Sequence, residues 1–310
     1  MRNKKIISGT LVLLFFSSLG TLLLLSFLPR PASQMTILSG SKNATQYRFV
    51  QDIINIVAPT LDFKIQNKET EGVAYNFSEL TDPKTPYKLA IMQADYLYYM
   101  QAQDMQLKME KTKHLKVVLP LGDQQIHLVT SASRGYTGLK DLEGKTVAIG
   151  NEGQGTFRTA LMIRERSKVS YTSRNIPLDE SLTELKLGKI DAFFIASSAP
   201  IPQLDINPQS MVDMMTLVPL EDFNDWAKYY KRDTIYKTDY KWLDHDIPTY
   251  GVPTLLVVNE SKLTEEDRAS VTKLKAAIQT NYEQLKEKGH PEWKRVNFSD
   301  WSESDWPNFK

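Results

Sequence analysis

KDLEGKTVAIGNEGQGTFRTA, residues 140–160, is the stretch that decides the fold of this chain. A turn leads into a short apolar β run from Thr146 to Ile149, and then into a glycine-rich loop from Gly153 to Thr156. A helical apolar pattern begins at Phe157. A strand, a glycine loop and a helix start together direct free backbone N–H groups at one point in space. The stretch therefore predicts a site for a small anionic or strongly polar ligand.

Strands and helices alternate on both sides of this stretch. Apolar runs at 35–38 and 88–93 predict further strands, each followed by a helical pattern. This alternation predicts parallel strands with helical crossovers, and the ligands of such sheets bind beyond the carboxyl ends of the strands. Because Gly40, Gln93 and Gly150 fall at three of those ends, we expect one shared cleft.

The same patterns predict the later elements of the chain. Separate strands are expected at 115–121 and 127–131, and a helix is expected over 222–231. Residues 238–252, rich in Tyr, Asp and Pro, are expected to form a loop, and 254–258 a strand.

The N-terminus predicts the location of the protein. Positive residues up to Lys5 precede an uncharged run from Ile6 to Leu28, which as a helix would be about 34 Å long and would match the hydrocarbon core of a bilayer. We expect residues 1–33 to be an uncleaved transmembrane anchor that leaves the rest of the chain in the periplasm, attached to the inner membrane. A cleaved signal peptide is the alternative, with a usual apolar core of about 7–15 residues.

Composition excludes several classes of function. The chain has 310 residues and a net charge of +1, so its totals give no electrostatic reason to expect a nucleic-acid partner. It has no cysteine and four histidines, which show no metal-ligand spacing. The sequence also lacks a Gly-x-Ser-x-Gly motif and a Walker loop. We therefore expect no metal, no cofactor and no enzymatic activity.

Five motifs in order resemble the TAXI-type solute-binding proteins of tripartite ATP-independent periplasmic (TRAP) transporters, over about residues 37–279. They are Gly40–Tyr47, Gln93–Asp95, Asp141–Gly150 with Gly153–Thr156, Leu187–Phe194 with Pro200 after it, and Tyr240 with Pro248–Val252.

The resemblance implies an α/β, two-lobed periplasmic-binding-protein fold of type II that closes on a solute. Lobe one would comprise residues 34–127 and 253–310, and lobe two residues 128–252. The resemblance also implies that the protein delivers a small organic anion, such as an acidic amino acid or a dicarboxylate, to a TRAP-type membrane permease. If the anchor is retained, a membrane-tethered sensory module that regulates a membrane partner is the alternative.

The residues that would contact the ligand follow from the loops and strand ends. They are Asn43, Thr45, Tyr47, Gln93, Gln154, Gly155, Thr156, Ser198 and Tyr240. Each has a structural alternative: Thr156 and Gln93 could cap helices, Asn43 and Thr45 could shape a loop, and Tyr47 could pack in a helix.

Two arginines and several substitutions bear on the ligand. Arg134 and Arg158 are the arginines nearest to the expected site, and either could instead be a surface charge. Asn43, Ala44 and Gln46 replace two glycines and a tyrosine of the family pattern, Ala94 replaces a serine, and Gln154 replaces another serine. Since these changes lie at the expected site, the ligand is expected to differ from that of the family.

Overall fold

The computed structural model describes residues 34–205 and 214–310. Its strands are β1 (Gln34–Leu38), β2 (Lys64–Lys68), β3 (Leu89–Gln93), β4 (Leu115–Thr130), β5 (Thr146–Ala148), β6 (Thr172–Arg174), β7 (Ala192–Ala196), β8 (Thr216–Leu217), β9 (Lys231–Ile235) and β10 (Ile247–Asn259). Its α-helices are α1 (Thr45–Asp52), α2 (Val73–Thr81), α3 (Ala94–Leu107), α4 (Gly155–Ser167), α5 (Leu178–Lys186), α6 (Glu265–Thr280) and α7 (Tyr282–Lys288).

The predicted anchor, residues 1–33, lies outside the described residues. Across 34–205 and 214–310, no helix is long and apolar enough to span a membrane.

The strands form one mixed sheet in the order β2-β1-β3-β10-β4-β7-β5-β6, with β8 paired to β4 and β9 to β10. Parallel pairs occur at both ends, where β1 pairs with β2 and β3, and β5 pairs with β6 and β7. The two central strands are antiparallel to their neighbours. The predicted parallel βα units are therefore present, and they are joined through an antiparallel centre.

Both faces of the first half of the sheet are covered. Leu89 and Ile91 of β3 pack with α1, α6 and α7, while Ala90 and Met92 pack with α2 and α3 on the other face. Because successive side chains of a strand point to opposite faces, a strand buried on both sides is apolar throughout. This half, which carries β1–β3, is called lobe one, and the half that carries β5–β8 is called lobe two.

β4 and β10 join the two lobes. Up to Gln125, β4 pairs with β10, and from Ile126 onwards it pairs with β7. The sequence predicted two strands here, whereas the structure has one continuous strand, because the backbone groups of residues 115–130 find partners in both lobes.

The predicted helix over 222–231 is absent from this described part of the chain, which forms turns followed by β9. Asn224 and Asp225 both have left-handed backbone angles, with φ of 57° and 58°. Two consecutive left-handed residues interrupt a right-handed helix, and Asn and Asp are the non-glycine residues that adopt this conformation most readily.

Candidate ligand-binding site

A cleft of about 870 Å³ lies between the lobes. Its walls come from the carboxyl ends of β1, β3 and β7 and from the loops that follow β1, β2, β5 and β6. This is the position expected for a ligand site in an α/β sheet, and the volume lies in the range of about 300–1,000 Å³ that is typical of small-molecule pockets.

Five helices begin at this cleft, and α1, α3 and α4 are three of them. The residues before their first turns are Ala44 for α1, Gln93 for α3 and Gln154 for α4, and in the described chain none of these side chains caps its helix. The first N–H groups of a helix have no partner within the helix, and the helix start carries a partial positive charge. Such starts around one cleft favour a ligand with negative charge, most of all at α1 and α4, because the first turn of α3 already contains Asp95.

Most of the predicted residues meet at the cleft. Among the described residues, the lining includes Asn43, Thr45, Gln93, Gln154, Gly155, Thr156 and Ser198.

The other two predicted residues lie outside this lining. Tyr47 is half-buried in α1, and its carbonyl oxygen accepts a hydrogen bond from Asn67 Nδ2 at 3.0 Å. Tyr240 is fully buried in lobe two, where its hydroxyl lies 2.9 Å from His127 Nε2 and accepts a hydrogen bond from the Ile201 N–H at 2.9 Å. The structure thus places Tyr240 as a packing residue behind the cleft wall, because its hydroxyl already has two internal partners.

Two buried side chains present polar atoms to the cleft. Gln93 is 3% exposed and donates from Nε2 to Gln124 Oε1 at 2.7 Å, while within the described chain its own Oε1 has no partner. Ser198 is 5% exposed, and its Oγ likewise lacks a partner among the described residues. Since buried polar atoms are almost always hydrogen-bonded, these two are suited to a polar ligand.

Thr156 and Gln154 are held in place by backbone groups. Thr156 Oγ1 accepts a hydrogen bond from the Ala196 N–H at 3.0 Å, so the hydroxyl hydrogen remains able to donate. Gln154 Oε1 accepts from the Asn151 N–H at 3.2 Å, which leaves its NH₂ group as a donor. Both side chains can therefore donate to an oxygen-bearing ligand at the start of α4.

The glycine-rich loop also contacts the opposite lobe. The Gly153 carbonyl accepts a hydrogen bond from the Ala74 N–H at 3.2 Å, in the uncapped first turn of α2. A Cβ added to Gly72 would lie 2.8 Å from that carbonyl oxygen, and a Cβ added to Gly155 would overlap Gln93 Oε1. The sequence suggested glycines that approach a ligand, and the structure shows glycines that let the two lobes approach each other.

A buried carboxylate lies between α3 and α4. Asp95 is fully buried, and its Oδ2 accepts hydrogen bonds from Thr159 Oγ1 at 2.7 Å and from the Tyr230 hydroxyl at 3.2 Å. Burial raises the pKa of Asp95 to about 6, and the two hydrogen bonds and the charge of Arg158 oppose this rise. This contact ties lobe one to lobe two through a group that titrates near neutral pH.

The arginines considered from the sequence serve other contacts. The Arg158 guanidinium lies 3.7 Å from the centre of the Tyr99 ring, and Arg134 forms a 2.6 Å ion pair with Asp191. Neither belongs to the described lining of the cleft.

Lobe two contributes an apolar wall that the sequence analysis missed. It consists of Ile176, Pro177, Leu178, Ile195, Pro200, Ile201 and Pro202. Pro177, Pro200 and Pro202 are exposed and Leu178 is half-buried. The sequence indicates this wall only through two proline-containing segments, one after β6 and one after β7. Each of these segments has the composition of an ordinary loop.

Known structures show the same fold. An ancestral arginine-binding protein bound to arginine is 13% identical, with a TM-score of 0.53 over 84% of this chain and 99% of that chain. The periplasmic sulfonate-binding protein SsuA from Methylobacillus flagellatus KT is 12% identical, with a TM-score of 0.52 over 88% and 76%. XAC2383 from Xanthomonas citri bound to ATP is 11% identical, with a TM-score of 0.51 over 85% and 88%.

These likenesses confirm the predicted α/β, two-lobed periplasmic-binding-protein fold. Curated protein sequences give no match. The sequence model of the NMT1-like family matches residues 37–303, so the chain belongs to the NMT1-like family.

Proposed function

We propose that the protein is an extracytoplasmic solute-binding receptor that captures a small organic anion between its two lobes. The observation that carries this proposal is the convergence of three uncapped helix starts, those of α1, α3 and α4, on one interlobe cleft. Backbone N–H groups at helix starts bind carboxylates without a full positive charge nearby. The named binding proteins among the similar structures support a binding role.

The finer parts of the proposal come from the resemblance. We propose acidic amino acids and dicarboxylates as the first class of ligand to test, and a TRAP-type permease as the partner that receives the solute. The seven predicted residues at the cleft are the proposed ligand contacts. We keep residues 34–127 with 253–310, and 128–252, as the proposed lobe boundaries, and residues 1–33 as the proposed link to the inner membrane.

Ligand-induced stabilisation tests this proposal. The full chain would be placed in lipid nanodiscs, because residues 6–28 are apolar, and titrated by calorimetry with L-glutamate, L-aspartate, succinate and simple monocarboxylates. A ligand at 100 times its Kd stabilises the folded state by about 2.7 kcal/mol, which gives a measurable rise in the unfolding temperature. Absence of both heat and stabilisation with every acid would refute the organic-anion class.

A sensory module is the second candidate, favoured by the predicted anchor. A receptor that is fixed to the membrane is suited to reporting a ligand to a membrane partner. Crosslinking in cells separates the two candidates: a multispanning permease as the main crosslinked partner supports transport, and a kinase or cyclase supports sensing.

A further inference from the structure

The two walls of the cleft differ in chemistry. Lobe one lines it mainly with polar groups, among them Ser39, Asn43, Thr45, Gln93 and Gln124. Lobe two adds polar groups where α4 begins, together with Ser197 and Ser198, and it also contributes the apolar wall already described. A ligand in the cleft therefore meets hydrogen-bonding groups from both lobes and hydrocarbon at one part of lobe two.

The apolar wall has exposed surface that a ligand can cover. Ile176, Ile195 and Ile201 are mostly buried in the lobe-two core, so they present only an edge to the cleft. The half-buried Leu178 and the three exposed prolines supply the rest of this surface. Covering apolar surface is favourable in proportion to the area removed from water, which rewards a ligand with a hydrocarbon body.

The charges along the cleft favour a single negative charge on the ligand. Among the described lining residues, Arg48 is the one lysine or arginine, and it is exposed, while Glu71 and Asp179 are acidic. One carboxylate can lie at the helix starts, but a second one would reach the apolar wall, close to Asp179. Asp179 would repel a second carboxylate on that side, since like charges in one site disfavour each other.

We propose that the ligand is an amphiphilic monocarboxylate, whose carboxylate lies at the starts of α1, α3 and α4 and whose aliphatic or aromatic body lies against the apolar wall of lobe two. This inference rests on the proposed receptor function: it keeps the small organic anion and departs from the acidic amino acids and dicarboxylates that the resemblance implies. It selects against dicarboxylates and acidic amino acids.

A chain-length series tests the inference. Acetate, butyrate and hexanoate would be titrated into the full chain in nanodiscs, with empty nanodiscs subtracted, beside succinate and L-glutamate. Each CH₂ group buried against the wall is expected to raise affinity about fourfold, so hexanoate should bind on the order of 100-fold more tightly than acetate. Succinate and L-glutamate, which each carry two carboxylates, should bind more weakly than hexanoate.

Two leucine variants, one at the start of α5 and one just after its end, test the position of the wall. Leu178→Gln changes a lining residue, whereas Leu187→Gln changes a residue at the end of the same helix that is 64% exposed and outside the cleft lining. Leu178→Gln should lower the affinity for hexanoate about fivefold and leave the affinity for acetate unchanged, because only the longer chain reaches the wall. Leu187→Gln should change neither, and equal effects of the two variants would overturn the assignment.

The outcomes separate this inference from the function on which it rests. If succinate or L-glutamate binds best and chain length adds nothing, the amphiphilic class is wrong and the organic-anion receptor stands. If no acid of either type binds, the proposed receptor function is itself wrong. If affinity rises with chain length but Leu178→Gln does not reduce this rise, the hydrocarbon body lies elsewhere and the inference is overturned.

Discussion

The loop before α1, residues 40–44, and the loop before α4, residues 150–154, both begin with glycine but differ in what they contact. Each contains glycine and leads to an uncapped helix start at the cleft. The loop of lobe one stays within its own lobe, where the Lys42 N–H donates to Glu69 Oε1 at 3.3 Å. The loop of lobe two reaches across to α2 through Gly153.

This difference shows that a glycine-rich loop at a helix start has two uses. The lobe-one loop leaves its helix start facing the cleft, which suits ligand binding. The lobe-two loop lines the cleft on one side and packs against the opposite lobe on the other. The second use depends on Gly72 and Gln93, which are distant in the chain, so a motif alone does not indicate it.

The largest effect is expected from Gly155→Ala. The added Cβ would overlap Gln93 Oε1 and lie 2.7 Å from Nε2, so the lobes could not approach as closely. Overpacking of this kind costs roughly 1–3 kcal/mol, which corresponds to a loss of affinity of up to about 100-fold. The unfolding temperature should fall by no more than a few degrees, since Ala is a better helix former than Gly and offsets part of the overpacking. Calorimetry and thermal unfolding provide the two readouts.

Two further variants show whether the steric contact is the cause. Gly138→Ala is the matched control in lobe two, because a Cβ there meets nothing within 4 Å. In the Gln93→Ala background, which removes the overlapping side chain, Gly155→Ala should cost little more affinity. Equal losses with and without the Gln93 side chain would mean that Gly155 acts in some other way.

Ala44→Asp is expected to separate stability from binding at the lobe-one loop. Asp at this position can accept hydrogen bonds from the α1 start, which would stabilise the fold by about 0.5–2 kcal/mol. The same carboxylate would occupy and repel the site of an anionic ligand, with an expected loss of affinity of about tenfold. Ala44→Asn is the neutral control. Unchanged affinity in Ala44→Asp would remove α1 from the site.

Asp95→Asn is expected to change the pH dependence of stability. The pKa of Asp95 is raised in the folded state to about 6, so its stabilising contribution is complete below its unfolded pKa and is lost as pH rises through 6. Relative to Asp95→Asn, the native chain should lose about 1 kcal/mol of unfolding free energy from pH 5 to pH 7. Chemical unfolding at several pH values measures this difference.

The comparison with the variant is needed because other buried groups titrate as well. Burial lowers the pKa of His127 to about 4. The contribution of His127 to the unfolding free energy is therefore lost as pH falls through its unfolded pKa towards 4. Burial raises the pKa of Glu292 to about 8, so its contribution is lost as pH rises through 8. Because the native chain and Asp95→Asn both contain these two groups, their contributions cancel when the two unfolding free energies are subtracted. A difference that does not vary with pH would contradict the assignment to Asp95.

The smallest effect on binding is expected from Tyr240→Phe. Loss of the hydroxyl leaves the Ile201 N–H and His127 Nε2 without this partner, at a cost of about 1–3 kcal/mol in stability. Affinity should change by less than about twofold, because Tyr240 lies behind the cleft wall and not in its lining. A tenfold loss of affinity with unchanged stability would instead place Tyr240 in the site.

The sequence predicted those parts of the fold that depend on local pattern. Buried strands such as 88–93 and 254–258 follow from apolar runs, and both are present. The helix expected over 222–231 failed because Asn224 and Asp225 adopt left-handed angles that apolar periodicity does not report. β9 was missed because its partner is the distant residues 247–251 of β10.

The site also divides into features that depend on local sequence and features that depend on residues distant in the chain. Strand ends and helix starts were found because each can be recognised within a few residues, as with Gln93 and Thr156. The buried position of Tyr240 could not be predicted, because its environment is set by His127 and Ile201, which only the tertiary structure brings together. The apolar wall was missed for the same reason, since its two segments are separate in the chain.

Native mass spectrometry of the full chain, released from nanodiscs without added ligand, tests the central claim most directly. Solute receptors that close around a ligand can retain it through purification, and collisional release identifies it. The account predicts a small adduct that leaves as a singly charged carboxylate and is absent from Gly155→Ala. A retained neutral sugar or a cation, or no adduct before and after incubation with organic acids, would contradict it.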